Sequence, residues 1–161
     1  MGIAQRREIA MPIEFKSSNP AIDIARIQEF QQTWKIILPP CYQEFLLNHN
    51  GGRPTQYVFP IVGFTDPIGG IQVFFGLGTP IKTSDLNWQI KNRIVQFPVG
   101  LLEIACTDGN DLVCIDTKSA DAPVYFFDHR PSWGNGVWRD KDLYVVAGSF
   151  SEFLSKLKST K

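Results

Sequence analysis

Residues 38–54, LPPCYQEFLLNHNGGRP, encode a short helix with a marked start and a marked end. Pro39 and Pro40 suit a first helical turn, where a missing N–H costs nothing and φ already lies near the helical value. Side chains of one helix face then recur at i, i+3, i+4 and i+7, three apolar and the last polar. They are Tyr42, Phe45, Leu46 and His49. The pattern predicts a helix that begins at the prolines and packs one face against a core.

The same stretch closes with residues that stop a helix. Asn50, Gly51 and Gly52 tolerate left-handed backbone, and Pro54 prevents the helix from resuming. An imidazole in the last turn can interact with the free carbonyls and with the negative end of the helix dipole. We therefore expect His49 to stabilise the helix end.

A further helix is predicted upstream. Asn19 can cap it, Pro20 suits its first position, and an apolar stripe continues through the segment 22–34 to Trp34. Residues 1–18 show no clean period. They predict an irregular N-terminal arm, followed by one domain over residues 19–161.

The chain changes character after Gly52. Residues 55–62 and 71–78 are rich in β-branched and aromatic side chains and predict two strands. Ser84 can cap a third helix with Leu86 on its apolar face. Trp88 lies roughly opposite Leu86, at about 100° per residue, which predicts an exposed aromatic side chain.

The second half predicts a meander of strands and a last helix. The strands span 101–107, 112–117, 124–129 and 143–147, and a tight turn over 108–111 joins the first two. The strand at 124–129 is apolar on both faces, which predicts cover on both sides. Ser149 and Glu152 form a capping box that opens the helix. Its apolar face contains Phe150, Phe153, Leu154 and Leu157.

These elements predict an α+β fold in a single domain. Runs of strands separated from helices are typical of a mainly antiparallel, twisted sheet. We expect about five or six strands, covered by the N-terminal helices, one middle helix and a C-terminal helix.

Composition limits the classes of function. The chain has 161 residues, 43% of them hydrophobic, and its 16 basic and 16 acidic residues cancel, so no basic excess is available for direct nucleic-acid binding. It contains no run of about 20 apolar residues, so no membrane segment is expected. The N-terminus carries no signal-peptide pattern, and three cysteines indicate free thiols in a reducing, cytoplasmic environment.

Catalytic and cofactor motifs are absent from the sequence. Cys41 and His49 lie about 12 Å apart along one predicted helix and cannot form a dyad. Cys106 or Cys114 beside His129 stays geometrically open, and the register of the strands decides whether the two thiols face each other. No metal-ligand spacing and no phosphate-binding glycine motif occurs. We expect a protein without enzymatic activity, metal or cofactor, with an unrecognised hydrolase as the alternative.

Large aromatic and basic side chains in predicted loops or exposed positions are candidates for partner recognition, because such residues anchor many interfaces. They are Trp88, Trp133, Trp138, Arg130 and Arg139. For Trp133 and Trp138, the alternative is a small local core beneath their own loop.

Several segments, taken in order, resemble the SUKH superfamily, which includes Smi/Knr-type domains, over about residues 20–158. The resemblance rests on the end of the first predicted helix and on the whole second helix, from its start to the residues that end it. A Gly-Asn turn and the last helix also contribute. The residues that carry the resemblance are Trp34, Leu38, Pro39, Tyr42, Phe45, Leu46, Asn50, Gly51, Gly52, Asn110, Ser149, Phe150, Phe153 and Leu154. All of them have structural roles as caps, turns and core. The segment 130–142 is longer than the family pattern suggests.

The resemblance implies a non-enzymatic α+β domain that binds another protein. It implies a bacterial immunity protein that neutralises a cognate toxin by direct binding, as a monomer or weak dimer. The alternative is a regulatory scaffold or ligand-binding module of the Smi/Knr cell-wall-regulator type. If the toxin is a nuclease with a basic cleft, acidic residues form the matching surface. The candidates are Asp66, Asp85, Asp108, Asp111 and Asp121.

Overall fold

The computed structural model describes residues 13–93, 95–132 and 139–160. Four α-helices occur in these residues: α1 (Ile24–Trp34), α2 (Pro40–Asn48), α3 (Leu86–Lys91) and α4 (Phe150–Lys156). The strands are β1 (Phe15–Ser18), β2 (Gly52–Pro54), β3 (Val58–Pro60), β4 (Ile68–Phe74), β5 (Leu101–Thr107), β6 (Leu112–Asp116), β7 (Val124–Phe127) and β8 (Leu143–Ala147).

The strands form one open antiparallel sheet in the order β1-β2-β4-β5-β6-β7-β8, with β3 paired to β4. The α+β class and the single domain are confirmed. The described residues contribute eight strands, more than the expected five or six, because β1 and β2 are too short for a periodic signal. Strand β3 falls within the predicted strand at 55–62.

Helix α2 confirms the prediction from the opening segment. It begins at Pro40 after Pro39 and ends at Asn48, and it buries Tyr42, Phe45 and Leu46. Gly51 and Gly52 have φ of 77° and 120°, the left-handed region expected of a helix terminator.

The N-terminal predictions require two corrections. Helix α1 begins at Ile24 with Asp23 as its N-cap, while Asn19 donates instead to the carbonyl of Asn50, at 2.7 Å. The irregular arm is wrong for Phe15–Ser18, which form edge strand β1 against β2. Strand β1 has four residues and a single half-buried side chain, so alternation could not identify it.

Side chains alternate between two cores across the sheet. Val113 and Ile115 point into the main core with the apolar faces of α1, α2 and α4, whereas Cys114 points into a smaller cluster with Phe127. Strand β7 contributes to both clusters, which confirms its predicted cover on both faces. Below the smaller cluster, the Glu103 carboxylate is 1% exposed and accepts hydrogen bonds from Arg93 at 2.6–3.2 Å.

The two later helices begin close to the predicted caps. Ser149 accepts the N–H of Glu152 at 3.0 Å, and the Glu152 carboxylate accepts the N–H of Gly148 at 2.8 Å. Helix α3 is capped by Asp85, one residue after the predicted Ser84, which lies in a preceding 3-10 turn. Among the residues described, no helix has both the length and the apolar character needed to cross a lipid bilayer.

Candidate functional site

The antiparallel connections bring three distant turns to one end of the sheet. Ile71 pairs with Thr107 and Leu112 pairs with Phe127, so the start of β4, the β5–β6 turn and the end of β7 lie side by side. Asp66, Asp108 and Asp111, three of the five predicted acidic residues, therefore meet there. Sequence alone could not group Asp66 with the other two, because Asp66 precedes β4 whereas Asp108 and Asp111 lie in the β5–β6 turn.

These aspartates line a recess of about 220 Å³, which we call the acidic pocket. Its apolar surface comes mainly from three aromatic rings and from aliphatic residues of β3, the β3–β4 loop and the start of β4. The aromatic residues are Tyr57, Phe64 and Phe126, and the aliphatic ones include Val58, Ile61 and Ile68. The pocket combines aromatic walls with carboxylates, a mixture typical of binding sites for charged organic groups.

Two glycines of β4 leave room for neighbouring side chains, Gly69 for the core ring of Phe59 and Gly70 for the Asp108 carboxylate at the pocket. A Cβ at Gly69 would lie 2.6 Å from the ring of Phe59, and a Cβ at Gly70 would lie 2.9 Å from the Asp108 carboxylate. Both distances are too short for unshifted neighbours. The Asp108 N–H donates to the Gly70 carbonyl at 3.1 Å, which holds the carboxylate beside the pocket.

Asp66 and Asp108 are exposed at the pocket, and neither forms an ion pair with any residue that the structure describes. Asp66 accepts the N–H of Ile68 at 3.4 Å, a short local turn that orders its loop. The pocket therefore carries two exposed carboxylates without a cationic partner in the described part of the chain.

Asp111 has a different role from the other two aspartates. It is buried, and its Oδ1 atom accepts the backbone N–H of His129 at 3.0 Å and lies 2.6 Å from His129 Nδ1. It lines the pocket but is not an open surface residue. This contact joins the start of β6 to the segment after β7 and stiffens the end of the sheet.

Asp128 and Arg130 form a second brace beside the pocket. The guanidinium of Arg130 donates to both carboxylate oxygens of Asp128, at 2.9 and 3.2 Å, and lies 5.3 Å from the centre of the Phe64 ring. Burial alone would raise the pKa of Asp128, but hydrogen bonds and charge from Arg130 outweigh it and lower that pKa. Arg130 thus already has an internal partner.

Asp111, Asp128 and His129 each place a ligand-type atom within 4.8 Å of the others. Their donor chemistry is compatible with a metal, yet Asp111 is bonded to His129 and Asp128 to Arg130. A cation bound there would lie beside the guanidinium and displace both contacts. The cluster is better described as an internal brace.

The remaining predicted residues lie apart from the pocket or outside the described residues. Asp85 caps α3 and accepts the N–H of Gly78, while Trp88 on α3 is half-buried rather than exposed. Asp121 lies in the β6–β7 turn, at the opposite end of β6 and β7. Arg139 pairs with Asp142 at 2.8 Å. Trp133 and Trp138 fall outside the described residues.

Burial favours the neutral forms of the Cys106 and Cys114 thiols and of the His49 imidazole. Cys106 pairs with Leu112 and Cys114 with Glu103, so the two cysteines are not cross-strand partners. Burial raises the pKa of Cys106 to about 11 and that of Cys114 well above its usual value, so both favour the neutral thiol. His49 is the C-cap of α2, where its backbone N–H donates to the Phe45 carbonyl at 2.7 Å. Its ring stacks on Phe15 with ring centres 4.8 Å apart, and burial lowers its pKa.

Sequence reasoning missed the aromatic walls, because Tyr57 and Phe64 lie outside strands and match no motif. The sequence indicated for Asp128 only a position at the end of a strand, where turns are common. Its partner Arg130 two residues later was the one local sign of an ion pair.

Comparison with known proteins gives three findings. The chain is 29% identical over 98 residues to the SPbeta prophage-derived uncharacterized protein YokK of Bacillus subtilis (strain 168). That alignment covers 61% of the chain and 46% of the relative, so the chain spans about half the length of the relative it matches. No solved structure gives a significant match. The family model described as SMI1 / KNR4 family (SUKH-1) matches residues 21–156. The chain, with its α+β sheet and its Asn-Gly-Gly helix terminator, therefore belongs to the SMI1 / KNR4 family.

Proposed function

We propose that this protein is a non-enzymatic immunity protein that binds a cognate toxin and blocks its active site or substrate channel. The observation that carries the proposal is the acidic pocket, where the carboxylates of Asp66 and Asp108 form no ion pair with the residues that the structure describes. A cleft that binds nucleic acid is basic, so a nuclease toxin would present the complementary charge. Complementary charge speeds association and selects the partner.

A rigid surface supports the same proposal. The Asp111–His129 and Asp128–Arg130 contacts hold the turns at the acidic end of the sheet before any partner arrives. A preformed surface loses little conformational entropy on binding, which favours a tight inhibitor.

We also propose that the protein acts in the cytoplasm, as a monomer or weak dimer, without a cofactor. Three free thiols support a reducing compartment, because none of the cysteines forms a disulfide. The raised pKa values of the thiols support a binding role rather than nucleophilic catalysis, because a thiolate is the reactive form.

Co-expression with a toxin domain encoded beside this gene tests the proposal. We expect the wild-type chain to restore growth and to form a one-to-one complex by light scattering after gel filtration. An Asp66→Asn/Asp108→Asn variant should lose affinity for the toxin. The control Glu29→Gln/Glu44→Gln removes the same charge from the exposed helices α1 and α2 and should bind as the wild type does.

Two outcomes would contradict this proposal. Absence of both growth rescue and complex formation would shift support to a regulatory scaffold of the Smi/Knr type. Growth rescue through turnover of the toxin, with no stable complex, would support an enzyme.

A further inference from the structure

The acidic pocket has the size of a site for one side chain. Pockets that hold drug-sized ligands have volumes of about 300–1,000 Å³. The acidic pocket has about 220 Å³ and opens between the loop that carries Asp66 and the turn that carries Asp108. A single long side chain of a partner fits this volume, whereas a peptide segment or a nucleotide does not.

The aromatic walls already attract cations of the chain itself. The Arg130 guanidinium lies 5.3 Å from the centre of the Phe64 ring, and the Lys16 ammonium lies 5.6 Å from the centre of the Tyr57 ring. Both distances fall within the range of about 6 Å in which a ring attracts a cation. These two contacts show that the rings of Phe64 and Tyr57 lie where they can contact positive charge, independently of the carboxylates.

The carboxylates favour a partner side chain that ends in a positively charged group. Asp66 and Asp108 are exposed and lack ion pairs among the described residues, so a positively charged group entering the pocket would neutralise them. A planar guanidinium stacks on aromatic rings and donates to carboxylates through several N–H groups, which a compact ammonium does less well. The apolar atoms of Val58 and Ile61 suit the aliphatic stem.

We propose that the acidic pocket binds one arginine side chain of the partner protein, as the anchor of the interface. The inference rests on the proposed function for the identity of the partner, but not for the chemistry of the pocket. Val62, in the same loop as Phe64 and Asp66, is 83% exposed and offers an apolar contact beside the anchor. Arginine in an aromatic pocket is a common source of interface affinity.

Titration with small probes, followed in amide proton–nitrogen correlation spectra, tests the pocket without any toxin. N-acetyl-arginine-methylamide should shift the amide signals of Gly69 and Gly70 with a dissociation constant on the order of millimolar. The matched neutral probe, N-acetyl-citrulline-methylamide, should bind at least roughly tenfold more weakly. Equal binding of the two probes, or no saturable shift with arginine, would overturn the proposal. Stronger binding of N-acetyl-lysine-methylamide would also overturn it.

Matched variants connect the signal to the carboxylates. Asp66→Asn/Asp108→Asn keeps the side-chain shapes and should reduce affinity for the arginine probe roughly tenfold, while Glu29→Gln/Glu44→Gln should not change it. Unchanged spectra elsewhere would show that the variants fold. Equal loss in both double variants would indicate only general charge attraction and would contradict the proposal.

The probe titration and the toxin experiment test the two proposals independently, so failure of one can be told from failure of the other. If the wild type rescues growth and Asp66→Asn/Asp108→Asn rescues equally at every expression level, the immunity function stands and the pocket inference is wrong. If the wild type does not rescue growth, the immunity function fails, and the probe titration still decides what the pocket binds.

Discussion

Asn50 joins three segments of the chain through one buried side chain. The residue is 2% exposed, and its Oδ1 atom accepts the N–H of Leu77 at 2.8 Å. Its Nδ2 atom donates to the carbonyls of Leu77 and Pro20, at 2.7 and 2.8 Å. Gly76 must lack a side chain, because a Cβ there would lie 2.1 Å from the Asn50 carbonyl. Asn50 thus positions α2 and the chain after β4 as well as ending a helix.

We expect Asn50→Ala to lower the free energy of unfolding by about 2–4 kcal/mol, because it leaves the Leu77 N–H and C=O buried without their partner. Urea denaturation measures the change. The control Asn92→Ala removes an exposed side-chain bond to Trp88 and should cost no more than about 0.5 kcal/mol. Equal effects of the two substitutions would contradict the role given to Asn50.

At the scale of elements, β1 depends on aromatic contacts with α2 and β4. The Phe15 ring lies 4.8 Å from the ring of His49 and 6.1 Å from the rings of Phe45 and Phe74. These contacts attach a short edge strand whose one partner among the described strands is β2. The stack also makes the attachment sensitive to pH, because His49 is a titratable member of it.

Burial lowers the pKa of His49 in the folded protein below its ordinary value. As the pH falls through about 6.5, the unfolded chain protonates His49 first, so folding stability is lost until the lowered folded pKa is reached. His49→Phe keeps a ring against Phe15 and removes this titration. We therefore expect the variant to lose less stability than the wild type between about pH 7.5 and about pH 5.5. Urea denaturation at both pH values checks this, and parallel losses would refute it.

At the scale of the whole molecule, the sheet packs a large core on one face and a small polar-lined cluster on the other. The small cluster is closed by the Arg93–Glu103 pair, with the Arg93 guanidinium also 4.4 Å from the centre of the Phe97 ring. Glu103 is a charged residue in the middle of an apolar strand. Its partner comes from the segment after α3, so the pair fixes how that segment covers the sheet.

Replacing Arg93 alone should destabilise the protein more than replacing Arg93 and Glu103 together. We expect Arg93→Met to cost about 3–5 kcal/mol, because it leaves a buried carboxylate without its counter-ion. Arg93→Met/Glu103→Leu should recover most of that loss. Arg26→Met, which removes an exposed pair at 4.0 Å, should cost no more than about 1 kcal/mol. A loss for Arg93→Met as small as that for Arg26→Met, measured by urea denaturation, would show that the buried pair is unimportant.

The sequence by itself determined the elements whose signals lie within a few residues. The prolines and Asn-Gly-Gly marked the ends of α2, the Ser149–Glu152 spacing marked the start of α4, and apolar residues on both faces of β7 predicted cover on both sides. Each signal depends on contacts between neighbouring residues, which sequence spacing records directly. The family resemblance rests on these same structural residues.

Only the tertiary structure decided which turns meet. Asp66 and Asp108 lie about forty residues apart, and they line one pocket because β4 and β5 pair antiparallel in one particular register. Pairing with β2 made β1 a strand, and the β6–β7 turn places Asp121 at the opposite end of the sheet from the pocket. Strand order and register depend on the fit of whole faces against a core, and no short window of sequence contains that information.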